Sequence, residues 1–226
     1  MVRARGAATP AGPLTLIRAP KADRMNTLAP IEAYLDFSSP YGYLASEWIE
    51  ELAAQHGRSV NWHAVLLGVV FQSAELRPLM SYPIKSVYSV LDFERSARFD
   101  GTPFTMPARF PISTHNAARV FWWLKERDAA EATRWLHHGL RAYFVDGIDL
   151  GDTAQLRDLA RRFGLEADQA EAVWSDPHWK ARLKQANDDA VAAGVFGAPY
   201  FIIDGEPFWG NDRRLQIERR LSQGAF

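Results

Sequence analysis

The apolar residues of this chain follow the two-residue period of a β-strand near its two ends and the period of a helix between them. At the N-terminal end, the pattern predicts a strand over 31–37, a helix over 43–53 that stops at Gly57, and a second strand over 60–66. This opening has the length of a βαβ unit, so its two strands should be parallel.

The β period returns near the C-terminus. Strands are predicted over 199–203 and 206–209, joined by the hairpin turn Asp204-Gly205. Asn211-Asp212 is predicted to cap a final helix. The two ends of the chain can therefore build one small sheet with helices against it.

Helices dominate the middle of the chain. The segment 71–109 is broken by prolines and predicts a long irregular connection with one helix over 84–97. Five amphipathic helices are predicted after it, over 114–127, 129–145, 153–163, 167–174 and 179–193. Asp152 and Asp176 stand where they can cap two of these helices. The fold class is therefore α/β, with 30–68 and 194–226 forming one domain and 69–193 an all-helical insertion.

The first 25 residues differ from the rest in composition, and we place a tail or extension over 1–29. They are basic and poor in acids, and they show neither a helical apolar stripe nor the long apolar run of a secretory signal. We expect a disordered tail or an extension, with Met25 as an alternative natural start. The missing export signal favours the cytoplasm.

The chain contains no cysteine, which excludes a disulfide, a cysteine nucleophile and a cysteine-ligated metal or iron–sulfur site. Any thiol chemistry must therefore use a thiol from outside.

The 26 basic and 27 acidic residues nearly balance, so no nucleic-acid or anionic-membrane partner is indicated. The longest uncharged stretch, 59–74, is too short to span a bilayer. His137 and His138 lie about 100° apart on a helix, so no metal site is predicted.

The junction between the first strand and helix is one candidate site. Ser39 and Pro40 mark a helix start. The unpaired N–H groups and partial positive charge at such a start favour an anion. Ser39 could donate its hydroxyl hydrogen to that anion, or it could simply cap the helix.

The segment Gly197-Ala198-Pro199 is the second candidate. A proline at the start of a strand must lie at an edge or a bend, since it cannot donate to the ladder. A cis Ala198–Pro199 bond would leave the N–H and C=O of Ala198 free to pair with an extended peptide. An ordinary trans proline is the alternative.

Three motifs in this order resemble one known family. They are S-P-Y-G-Y at 39–43, G-V-F-G-A-P-Y-F at 194–201 and F-W-G-N-D-R at 208–213. From about Ile31 to the C-terminus, the chain resembles the 2-hydroxychromene-2-carboxylate isomerases. That family belongs with the kappa-class glutathione transferases in the DsbA-like branch of the thioredoxin superfamily. The resemblance implies a thioredoxin-like fold, glutathione as cofactor and a homodimer.

The resemblance also implies residue roles. Both cysteines of the C-P-x-C redox motif are replaced here, and Ser39 would stabilise the glutathione thiolate by a hydrogen bond, with help from the helix dipole. The remaining glutathione contacts would come from the cis-proline, the N-D-R turn and a basic residue of the insertion. These residues are Ala198, Pro199, Asn211, Asp212, Arg213 and either Arg77 or Lys85.

The substrate pocket is expected at Tyr41, Gly42 and Phe110. Gly42 stands where relatives often have serine, which should enlarge the pocket near the sulfur. The implied activity is glutathione-dependent isomerisation of 2-hydroxychromene-2-carboxylate or a similar small aromatic intermediate. A kappa-like transferase or peroxidase and a non-catalytic glutathione- or peptide-binding module are the alternatives.

Overall fold

The computed structural model describes residues 28–226. The extension predicted over 1–29, with Met25, lies outside the described residues except for 28 and 29. The described chain forms four strands, β1 (Ile31–Leu35), β2 (Val60–Ala64), β3 (Tyr200–Ile203) and β4 (Glu206–Trp209). It also forms ten α-helices: α1 (Pro40–Ser46), α2 (Ile49–Gln55), α3 (Leu67–Ser73), α4 (Pro83–Asp100), α5 (His115–Arg127), α6 (Ala129–Phe144), α7 (Thr153–Phe163), α8 (Ala167–Ser175), α9 (Pro177–Ala192) and α10 (Arg214–Gln223).

The strands form one mixed sheet in the order β2-β1-β3-β4. β1 and β2 are parallel, as predicted for the βαβ unit, and β3 runs antiparallel to β1 and β4. Asp204 and Gly205 both have positive φ, 51° and 85°, as a tight hairpin of type I′ requires. Both ends of the chain therefore build one sheet, and the predicted α/β fold with a helical insertion is confirmed.

The insertion and the sheet share one hydrophobic core, which runs from β1 and β3 to the buried faces of α5–α8. The predicted domain boundaries at 68/69 and 193/194 stay a prediction. The predicted caps are present: Asp152 accepts hydrogen bonds from two backbone N–H groups of α7, and Asp176 accepts one from His178 in α9.

The first predicted helix is wrong in one respect, because the structure divides it into α1 and α2. The break lies at Trp48, whose indole N–H donates to the Asn211 side chain at 2.7 Å. The Ser46 hydroxyl also donates to the carbonyl of Tyr43, which competes with continuation of the helix. The break between α1 and α2 is therefore set by a contact with Asn211, which lies 163 positions away in the sequence.

Two other expectations are corrected. α3 lies partly inside the segment predicted to be irregular. Asn211 and Asp212 form a short 3₁₀ turn before α10, and neither side chain caps that helix. The helices predicted from 84 onward otherwise end within three residues of the observed positions.

The helix α5 covers the outer edge of β2. The Trp122 indole N–H donates to the carbonyl of Ala64 at 2.9 Å, and the Lys125 ammonium donates to the carbonyl of Trp62. Burial lowers the pKa of Lys125 to about 8. Outward-facing carbonyls of an edge strand would otherwise be open to another strand, so α5 protects this edge.

Gly139 allows α6 to approach the loop that leads to Ser39. A Cβ added at Gly139 would lie 2.8 Å from a ring carbon of the fully buried Phe37. We expect Gly139→Ala to lower the free energy of unfolding by about 1–3 kcal/mol, although alanine is the better helix former. Urea unfolding measures this, with Gly68→Ala in α3 as control, since an added Cβ there would have no other part of the described chain within 4 Å beyond its neighbours in the helix. Equal stability of both variants would contradict the close packing.

No helix in the described part of the chain is both long and apolar enough to cross a membrane.

Candidate active site

A cleft of about 1060 Å³ opens beside the N-terminus of α1. Its walls come from the loop after β1 and the start of α1, from residues in the ranges 66–96 and 110–114, and from the segments just before β3 and at the end of β4. All but one of the predicted site residues line it: Ser39, Tyr41, Arg77, Lys85, Phe110, Ala198, Pro199, Asn211, Asp212 and Arg213. Residues from three distant parts of the sequence therefore meet in one place.

Ser39 caps α1 and faces the cleft at the same time. Its Oγ accepts a hydrogen bond from the N–H of Gly42 at 3.0 Å and donates to the carbonyl of Ala198 at 3.1 Å. The side chain is 2% exposed, and Pro40 is the first helical residue. The capping alternative is thus correct, and it does not exclude a role toward a ligand. An anion placed here would meet a hydroxyl donor and the positive end of the helix dipole.

The Ala198–Pro199 peptide bond is cis, as the resemblance implied. The carbonyl of Ala198 accepts the Ser39 hydroxyl, which corrects the expectation that this carbonyl is free. The N–H of Ala198 has no acceptor among residues 28–226. One unused backbone donor therefore lies beside the Ser39 hydroxyl.

Trp209 forms a wall of the cleft that the sequence did not indicate. A Cβ added at Gly197 would lie 2.5 Å from the indole nitrogen of Trp209, so only glycine permits this contact. The Trp209 ring also packs edge-on against Phe196 and is half exposed. Gly197 thus allows the Trp209 ring to pack directly against the Gly197-Ala198-Pro199 segment.

Gly42 does not line the cleft, which corrects its assignment to the substrate pocket. It is buried behind Ser39, and an added Cβ would lie 3.0 Å from the Ser39 Cβ and 3.5 Å from that of Leu35. A larger residue at position 42 would therefore displace Ser39 rather than narrow the pocket.

The side chains of the N-D-R turn already bond to other residues of the fold. The Asn211 side chain accepts the Trp48 indole N–H and donates to Asp100 at 3.3 Å, so both ends of its amide are used within the fold. Asp212 and Arg213 are ion-paired at 2.5 Å. Arg77 and Lys85 form no ion pair within the described chain. That either Arg77 or Lys85 binds a carboxylate stays a prediction.

Asp36 is a buried carboxylate of the cleft floor that sequence reasoning missed. It is 4% exposed and accepts hydrogen bonds from the N–H and the hydroxyl of Ser38, the hydroxyl of Thr114 and the N–H of Leu67. These four bonds tie the end of β1 to α3 and α5. They fix the loop that presents Ser39.

An aromatic wall closes another side of the cleft. Tyr41 packs edge-on against Phe93, which packs edge-on against Phe110. The Tyr41 hydroxyl donates to the carboxylate of Asp92 on α4 at 2.5 Å. Burial and this bond raise the pKa of Tyr41 well above its usual range. No local sequence signal pairs Tyr41 with a residue of α4.

Residues 30–222 match the family model described as the DSBA-like thioredoxin domain. The chain belongs to this family. A 2-hydroxychromene-2-carboxylate isomerase of Sphingobium xenophagum is 30% identical to it over 193 residues, which cover 84% of this chain and 97% of that protein. The glutathione S-transferase kappa 1 of Caenorhabditis elegans is 32% identical over 211 residues, which cover 88% and 93%.

A solved structure of a 2-hydroxychromene-2-carboxylate isomerase superimposes with a TM-score of 0.78 at 23% identity and covers 87% of this chain and 95% of its own. This likeness confirms the thioredoxin-like DsbA fold. Among its relatives, the chain is similar to named isomerases and to named glutathione transferases.

Proposed function

We propose that this protein is a glutathione-dependent isomerase of 2-hydroxychromene-2-carboxylate or a similar aromatic intermediate. The observation that carries the proposal is the place of Ser39, whose hydroxyl lies at a helix N-terminus in the cleft and beside Ala198 and cis-Pro199. Because the chain contains no cysteine, thiol chemistry at this site would need a thiol from outside. The similarity to named isomerases supports the reaction type.

The residues of the cleft fit glutathione, a thiol flanked by two carboxylates and an ammonium group. The unused N–H of Ala198 would pair with the backbone of its cysteinyl part. Asp212 and Arg213 would hold the ammonium and carboxylate of its γ-glutamyl part, and Arg77 or Lys85 the glycyl carboxylate. Asn211 would contribute through its backbone, because its side chain is already bonded.

Bound glutathione would supply a nucleophile that adds reversibly to one carbon of a conjugated double bond, which leaves a single bond that can rotate before the thiol is eliminated and the double bond re-forms. Ser39 would turn its hydroxyl hydrogen from the Ala198 carbonyl to the sulfur and hold the negative charge there, helped by the α1 dipole. Phe93 and Phe110, with Tyr41, would hold the aromatic ring of the substrate.

A spectrophotometric assay of 2-hydroxychromene-2-carboxylate with and without glutathione tests the proposal. We expect isomerisation that requires glutathione while the concentration of free thiol stays constant. Turnover without glutathione would contradict the proposal. A fall of free thiol with turnover would instead support a kappa-like transferase, which the similarity to the Caenorhabditis elegans enzyme favours as second candidate. Binding without any turnover would indicate a non-catalytic module.

We also propose that the protein is a homodimer and that α4 forms the interface. Ile84, Val87 and Leu91 share one face of α4 and are 88%, 66% and 53% exposed. Such an apolar stripe on a helix surface is typical of an interaction face.

Leu91→Glu should therefore convert a dimer into a monomer of 25.5 kDa, as measured by sedimentation equilibrium. Leu215→Glu is the matched control, since Leu215 is 77% exposed on α10 and should leave the dimer intact. A monomeric wild-type protein, or dimers of Leu91→Glu, would refute this interface.

A further inference from the structure

We propose that Ser113 and His115 form a proton relay at the wall of the cleft, in which Ser113 exchanges a proton with the substrate and His115 stores it. This proposal rests on the proposed function and adds to it the residues that move protons during the reaction. The pair belongs to the segment that leads into α5.

The Ser113 side chain lines the cleft and lies within hydrogen-bond distance of a histidine. Its Oγ is 2.6 Å from the Nδ1 of His115, the first residue of α5. Ser113 is exposed and His115 is half-buried, and His115 itself does not line the cleft. A ligand in the cleft can therefore reach the imidazole only through the serine hydroxyl.

A shared carboxylate connects this pair to the loop that presents Ser39. Thr114, which follows Ser113, donates its hydroxyl hydrogen to Asp36 at 2.6 Å. Asp36 also accepts hydrogen bonds from the N–H and the hydroxyl of Ser38, which precedes Ser39. Ser113 and Ser39 are thus each one residue away from a group bonded to Asp36, and both line the same cleft.

The surroundings of His115 favour its neutral form. Burial lowers the pKa of His115 below its usual value, and the positive charges of Arg119 on α5 and Lys180 on α9 lower it further. A neutral imidazole has one nitrogen that accepts a hydrogen bond, and a hydroxyl that donates to it keeps its oxygen lone pairs for another donor. Ser113 can therefore take a proton from a ligand while it passes its own hydrogen to Nδ1.

The opening of a cyclic hemiketal, such as 2-hydroxychromene-2-carboxylate, needs this kind of group. The hydroxyl on the hemiketal carbon loses its proton to Ser113, the bond from that carbon to the ring oxygen breaks, and its electron pair goes to the ring oxygen. The carbon becomes a ketone conjugated to the double bond, to which the glutathione thiolate can then add. The proton held on His115 returns through Ser113 to the phenolate oxygen, so the protons balance over the reaction.

Ser113→Ala and His115→Ala should each lower kcat for 2-hydroxychromene-2-carboxylate by about 100-fold, the lower end of what general acid–base catalysis contributes. The dissociation constant of glutathione and the pH at which its bound thiol ionises should stay as in the wild-type protein, because Ser39 is unchanged. Ser113→Thr keeps the hydroxyl and should recover most of the rate. Steady-state kinetics, calorimetry and thiolate absorbance measure these quantities.

Added imidazole separates proton transfer from a structural role of His115. It can enter the half-buried space of the missing ring in His115→Ala and should raise the rate of that variant at least about tenfold. No such recovery is expected in Ser113→Ala, which keeps its histidine. His178→Ala is the matched control, since it removes a histidine from the first turn of α9, outside the cleft lining, and should retain the wild-type kcat.

The outcomes distinguish this proposal from the proposed function. If the wild-type protein isomerises the compound with glutathione but Ser113→Ala or His115→Ala retains its kcat, the relay is refuted and the proposed function stands. A loss in His115→Ala that imidazole does not restore would show a structural role and would refute the relay as well. A wild-type protein without glutathione-dependent isomerisation would overturn both.

Discussion

Replacing Ser39 by alanine should lower kcat about 10- to 150-fold, because one hydrogen bond to a charged group contributes about 1.5–3 kcal/mol. The dissociation constant for glutathione should change by less than roughly threefold, since the other contacts remain. The loss of the N-cap bond to Gly42 should also cost about 1 kcal/mol of stability. Steady-state kinetics, calorimetry and urea unfolding measure the three quantities separately.

Two variants of α1 control this experiment. Ser39→Thr keeps a hydroxyl and should recover most of the activity. Ser46→Ala removes another buried serine of the same helix, whose hydroxyl bonds to the Tyr43 carbonyl and to no other group of residues 28–226, and should leave kcat unchanged. An equal loss of binding and turnover in Ser39→Ala, or no loss at all, would contradict the role assigned to Ser39.

Replacing Asp36 by alanine should lower the free energy of unfolding by about 2–4 kcal/mol, because it leaves four donors without their acceptor. Two of them belong to Ser38, so kcat should fall as well when the loop before Ser39 loses its support. Urea unfolding and kinetics measure the two effects.

Asp152→Ala is the matched control for Asp36→Ala. It removes a partly exposed aspartate that accepts from two backbone N–H groups at the start of α7, and it should cost about 1 kcal/mol without affecting kcat. If Asp36→Ala proved no more destabilising than this control, the Asp36 network would not support the site as described.

The order of strands and helices was predictable because the apolar period records which face of each element is buried. The alternation at the two ends of the chain indicated one sheet, and the caps at Asp152 and Asp176 were correct. The break between α1 and α2 was not predictable. It depends on the bond between Trp48 and Asn211, which no local pattern reveals.

The residues of the candidate site divide in the same way, into those that a local motif indicates and those that depend on long-range contacts. Ser39, Ala198 and Pro199 belong to short motifs, and the sequence indicated correctly that they are neighbours in the fold. Asp36 and Asp92 form hydrogen bonds with residues that are distant in the sequence, and neither belongs to a motif, so the sequence did not indicate them. Gly42 was misplaced because the sequence does not show which side of α1 faces the cleft.

The most direct test of whether Ser39 stabilises the thiolate is a titration of the thiol of glutathione bound to the wild-type protein, followed by the ultraviolet absorbance of the thiolate. A free thiol ionises with a pKa of about 8.5. The hydrogen bond from Ser39 and the dipole of α1 should shift the midpoint of the bound thiol at least about one pH unit lower. A bound thiol that ionises at the same pH as the free one would show that Ser39 does not stabilise the thiolate.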